Sequence, residues 1–133
     1  MYRVNVTNAG DYSFKVKARE YEFLADMEGK RGITPPDTLL AGLGTCVGVY
    51  LRKYAEGAKL SLPEFSVSVE AEFSKEAPVC FRKINVNVDL KGAKIDERRL
   101  PAILEFIKNC PVHNTLKNSP EVEFKLDWKA SEI

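Results

Sequence analysis

Histidine is almost missing from these 133 residues, with a single one at position 113. A metal centre built on imidazoles therefore lacks ligands, and neither a Ser-His-Asp order nor a metalloprotease helix is present. Cysteine is sparse too: Cys46, Cys80 and Cys110 stand alone at wide spacings. That pattern is neither a secreted disulfide framework nor the paired ligands of a structural zinc site, although Cys110-x-x-His113 has metal-ligand spacing. No metal or other cofactor is expected. Excess charge is absent, with 20 Lys and Arg against 19 Asp and Glu for a net charge of +1. This argues against nucleic acid or a membrane surface as a general partner. The uncharged stretch Thr38–Leu51 spans about 14 residues, whereas a membrane helix needs about 20. Phosphate loops, dinucleotide fingerprints, repeats and Pro/Gly-rich linkers are also lacking. The start, Met-Tyr-Arg-Val-Asn-Val, reads straight into an alternating strand without a signal-peptide pattern, so a cytoplasmic location is expected. The length suits one domain over residues 1–133.

What is present centres on Thr34–Gly57, which reads as one helix of about 20 residues. Thr34 suits the N-cap, Pro35 and Pro36 the first turn, Asp37 a capping box, and Gly57 the position past the end. The lack of charge from Thr38 to Leu51 predicts a helix buried nearly all round. At 100° per residue, Leu39, Leu40, Leu43, Cys46, Val47, Tyr50, Leu51 and Tyr54 share a broad apolar arc. Ala41, Gly44, Thr45, Gly48 and Ala55 form an arc of small residues. Each interior glycine costs roughly 1 kcal/mol relative to alanine, so each needs a reason. Gly44 and Gly48 suit close approach of another backbone, from a second helix or a second copy of the chain. Gly42 lies one turn before Cys46 and leaves room beside its thiol.

Before this helix, residues 2–7 and 12–18 alternate around the turn Asn8–Asp11, and a third strand covers about 20–25. Loop 26–33, with two glycines and mixed charge, reads as mobile. After the helix, Phe65–Ser74 and Ile84–Leu90 alternate as half-buried antiparallel strands. A second helix opens at Asp96 and ends near Cys110-Pro111, followed by a turn or one more helical turn. Val122, Phe124, Leu126 and Trp128 predict a final strand closing the sheet. The order βββ-α-ββ-α-β is α+β with antiparallel sheets.

Cys46, taken alone, fits either a small buried hydrophobe or a reactive thiol. It lies mid-helix, where the dipole barely reaches, so a lowered pKa needs a cation; Lys53 and Arg31 are candidates. Cys80 has the plain setting of a strand edge. Cys110 precedes a proline, where the chain turns and can present a thiol.

Three segments carry a resemblance: Pro-Pro-Asp-Thr-Leu-Leu-Ala-Gly-Leu-Gly-Thr-Cys (35–46), Phe-Arg-Lys-Ile-Asn-Val-Asn-Val-Asp-Leu-Lys-Gly (81–92) and Cys-Pro-Val-His-Asn-Thr-Leu (110–116). Together they resemble the OsmC/Ohr family of osmotically inducible and organic hydroperoxide resistance proteins, in a divergent branch. The resemblance implies an α+β fold with central helices buried in an intertwined homodimer. It implies thiol peroxidase chemistry, with Cys46 at the peroxidatic position and Cys110 at the resolving one. The family's supporting glutamate slot is Pro36 here; the acid is Asp37, about 180° around the helix from Cys46. For the family's arginine, Arg31 and Arg19 are the candidates.

The expected function is thus reduction of organic hydroperoxides in oxidative-stress defence, with a small or protein dithiol as reductant. Two other classes stay open. One is a dimer that binds an apolar or lipid-like ligand without efficient turnover; the other is a structural dimer with buried cysteines.

Overall fold

A computed structural model describes residues 1–128 of the chain. Its longest element, α1 (Pro35–Gly57), starts as local chemistry dictates. The Thr34 hydroxyl accepts the Asp37 N–H at 3.2 Å, and the Asp37 carboxylate accepts the Thr34 N–H at 3.1 Å. Pro35 and Pro36 fill the first turn, where their missing donors are not needed.

The other end corrects the expectation for Gly57. That residue is still helical, Ala58 is the cap, and Lys59 takes the left-handed conformation at φ 55°. The Leu60 N–H reaches the Ala55 carbonyl at 2.8 Å and the Lys59 N–H reaches the Glu56 carbonyl at 3.2 Å. These paired bonds are a Schellman ending, and it comes late because Leu60 packs on the buried cluster that contains Ala55. No described helix is long and apolar enough to cross a membrane.

Two antiparallel sheets accompany α1. The first is the meander β1 (Asn5–Asn8), β2 (Ser13–Ala18), β3 (Tyr21–Asp26); the second is the hairpin β4 (Ser66–Phe73), β5 (Phe81–Asp89). Asn8 shapes the first turn by donating to the Asp11 and Ser13 carbonyls at 3.1 and 3.2 Å. Asp96 caps a 3-10 turn (Glu97–Arg99) by accepting the Arg98 N–H at 3.0 Å. The α-helix proper, α2 (Leu100–Lys108), begins only at Leu100, which places Pro101 in its first turn. The chain then bends and forms α3 (Pro111–Asn118). The fold is α+β, with antiparallel sheets and helices around a long central helix.

Leu43, Val47, Leu51 and Ala55 recur at helical spacing and bury against Leu62, Ile103, Ile107 and Cys110. Within the chain, Gly44 and Gly48 of the small arc meet β4 and the residue before it rather than a second helix, while Ala41 and Thr45 line an open groove. A Cβ added at Gly44 would lie 3.0 Å from a Val69 methyl, and one at Gly48 would lie 3.7 Å from the Phe65 ring. The close neighbours are side chains rather than backbone.

Two further expectations are corrected. α1 is not buried all round: Leu39 is 44% and Val49 48% exposed, because the chain supplies cover on one side only. The final strand is absent among the described residues. Residues 119–128 form no regular element, with Phe124 93% and Trp128 85% exposed. Alternation predicts which side chains would share a face, but a strand also needs a neighbour's backbone, and no described segment pairs with this one.

Candidate functional site

Loop 26–33, expected to be mobile, is tied down. The buried Asp26 carboxylate accepts the Glu28 and Arg31 N–H groups, each at 3.0 Å. These bonds, led by the one from Glu28, hold the carboxyl below its ordinary pKa against the opposing effect of burial. Ala25 bridges to Ile33, and Gly32 between the two arms has no room for a Cβ beside the Leu24 carbonyl. The loop therefore forms a fixed wall beside α1.

Across from that wall lies an open, mainly apolar groove of about 950 Å³. Cys46 and Gly42 of α1 line it, with Phe23, Leu24 and Ile33 opposite and Arg19 at its side. A Cβ at Gly42 would meet nothing within 4 Å, so the space at that position is open. Arg19 lies in the turn between β2 and β3 at φ 56°, a conformation a long side chain seldom adopts. Its guanidinium sits 5.2 Å from the Tyr2 ring centroid.

Cys110 comes to Cys46 from the other direction. It ends the bend between α2 and α3, caps α3, and is 0% exposed. Cys46 packs against the buried cluster that contains Cys110, near enough for its sulfur to perturb the Cys110 thiol. Burial, reinforced by the adjacent Cys46 sulfur, pushes the Cys110 thiol pKa up, and the His113 N–H on its sulfur at 3.4 Å offsets this only in part. The pair is thus asymmetric. One sulfur is half-buried and opens onto a groove, while the other is sealed and kept protonated.

The remaining sequence candidates fall elsewhere. Arg31 is exposed, uses its backbone to hold Asp26, and is not among the residues lining the groove. Asp37 is engaged in capping, and the Thr34 N–H is the main reason its carboxyl sits below the ordinary range. Lys53 sits over the Tyr50 ring at 4.7 Å. Cys80 precedes β5, with its N–H on the Ser74 hydroxyl at 3.2 Å. Sequence pattern does not single out the groove wall of Phe23, Leu24 and Ile33; only the glycines of the loop hint at it.

A similar architecture occurs in solved structures. The OsmC-like protein from Mycoplasma pneumoniae superposes with a TM-score of 0.79 at 20% identity, over 90% of this chain and 89% of that one. The organic hydroperoxide resistance protein OhrB of Bacillus subtilis gives 0.63 at 17% identity, over 90% and 92%. An organic hydroperoxide resistance protein OsmC from Legionella pneumophila gives 0.63 at 16%, over 88% and 89%. No protein among curated sequences matches this one. The profile described as OsmC-like protein matches residues 27–125, which takes in most of the groove-wall loop, both cysteines and the elements between them. With a helix cysteine facing a groove, a second cysteine behind it and that profile over most of its length, the chain belongs to the OsmC-like protein family.

Proposed function

We propose that the protein reduces organic hydroperoxides at the expense of a dithiol. The observation that carries this reading is the asymmetric thiol pair, one sulfur open to an apolar groove and the other buried behind it. The Cys46 thiolate attacks the terminal peroxide oxygen, an alcohol leaves, and Cys46 becomes a sulfenic acid. Cys110 condenses with it, water leaves, and a disulfide forms. A dithiol then returns both cysteines to thiols and is itself oxidised to a disulfide. The apolar lining suits an organic peroxide better than hydrogen peroxide. Family membership and the hydroperoxide-resistance proteins among the structural neighbours support the same reading.

Arg19 supplies the cation in this scheme, since it lines the groove with Cys46 and Arg31 does not. The working unit is a homodimer. The exposed Leu39 and Val49 on the open side of α1, and the bare apolar residues of the 122–128 segment, support this. A second reading, binding of an apolar ligand without turnover, is favoured by another groove of about 760 Å³ between β5, α2 and α3.

Cys46→Ser should abolish hydroperoxide consumption. Cys110→Ser should accumulate a sulfenic acid that a dimedone probe captures, and Cys80→Ser should remain active. Wild-type thiols left untouched by excess cumene hydroperoxide would rule out turnover and leave ligand binding. Analytical ultracentrifugation should show a dimer; a folded monomer at micromolar concentration would remove the homodimer.

A further inference from the structure

We propose that His113 is a positioning residue for Cys110, holding the buried thiol beside Cys46 by locking the bend between α2 and α3. The inference rests on the reading of these cysteines as a working pair.

Cys110 itself is buried in the core cluster, but the helix that follows it is not. No residue of α3 is fully buried, and Val112 is the α3 side chain packed on the core cluster. Polar staples hold α3 to the end of α2 as well. The His113 ring meets the Lys108 carbonyl, the last of α2, through Nδ1 at 2.6 Å. A carbonyl only accepts, so Nδ1 carries the proton in this bond. The donated hydrogen satisfies one of the orphan acceptors at the α2 C-terminus. The same residue's backbone N–H donates to the Cys110 sulfur at 3.4 Å. A second staple runs parallel, from the Asn114 side-chain amide to that of Asn109 at 3.0 Å.

His113 therefore touches both sides of the bend: its ring holds the end of α2, and its backbone holds the sulfur that caps α3. Cutting the ring bond frees α3 to swing about Asn109 and Cys110, and the sulfur moves with its cap. Condensation of a Cys46 sulfenic acid with Cys110, which releases water, requires the sulfurs to meet within narrow disulfide geometry. Attack of Cys46 on peroxide does not involve this bend. The ring should thus matter to the second step and not the first.

The test uses the full chain with His113→Phe, which keeps a ring but loses the donor, and His113→Asn, which restores one. Rapid-mixing kinetics should show unchanged sulfenic acid formation in His113→Phe but disulfide formation slowed about 10-fold or more. His113→Asn should recover part of that loss. A peroxide-independent readout is the Cys46–Cys110 disulfide equilibrium in glutathione buffers, where one oxidised glutathione takes up both electrons and yields two reduced glutathiones. His113→Phe should shift that equilibrium toward the dithiol by about 10-fold. Equal slowing of both steps, or an unchanged equilibrium in folded His113→Phe, would overturn the proposal. So would a wild type that forms no disulfide in oxidised glutathione. If wild type forms the disulfide but ignores hydroperoxide, the peroxidase reading fails while the glutathione shift still decides the role of His113.

Discussion

The two sides of α1 use glycine for opposite ends. On the closed side Gly44 lets β4 approach, and a Cβ there would press on Val69 at 3.0 Å. On the open side Gly42 has nothing within 4 Å and lines the same groove as Cys46. One glycine is required by packing and the other by access. Both weaken the helix to a similar degree, so only their surroundings tell them apart.

Lengthening each side chain should break this contrast in opposite directions. Gly44→Leu should destabilise the fold by roughly 1–3 kcal/mol through overpacking, read as a lowered denaturation midpoint. Gly42→Leu should stabilise the helix by up to about 1 kcal/mol while blocking reaction of Cys46 with a bulky hydroperoxide. Equal destabilisation by the two variants would erase the distinction.

The open side has its own contrast between two arginines. Arg19→Ala should slow hydroperoxide attack about 10-fold, whereas Arg31→Ala should leave it near wild type. Stopped-flow rates for both variants decide between them, and the reverse ranking would return the role to Arg31.

Acid should loosen the groove wall with a smaller effect. The Asp26 carboxyl has a lower pKa in the fold than its ordinary 3.8. Its contribution to stability is therefore complete above the ordinary value and fades as pH falls through the folded one. Asp26→Asn should remove that part of the acid dependence and raise amide exchange in loop 26–33. Identical acid unfolding curves for variant and wild type would show that the clamp contributes nothing.

Features with local causes are legible in the sequence itself. Thr34 and Asp37 are three positions apart and cap one helix end between themselves, so their pattern is complete in a few residues. The hairpins are legible for the same reason. The end of α1 is not, because a glycine stands ready at 57 while burial of Leu60 places the left-handed residue at Lys59. The small arc shows that something approaches closely, but not that it is β4 of the same chain. Spacing alone does not bring Cys46 and Cys110 together; the family resemblance pairs them. Arg31 is the cation nearer to the helix along the chain. Arg19 lines the groove because β2 and β3 fold their turn toward it, a fact of tertiary topology.

In the proposed homodimer, the uncovered alternation of Val122, Phe124, Leu126 and Trp128 would tie the stability of the protein to its abundance. Apolar side chains sheltered by a second copy would gain their hydrophobic free energy on association, so the folded population would obey mass action. Dilution would then act as a mild denaturant, and the melting temperature would climb with protein concentration. A newly made chain would be most exposed to proteases and aggregation while its own kind is scarce.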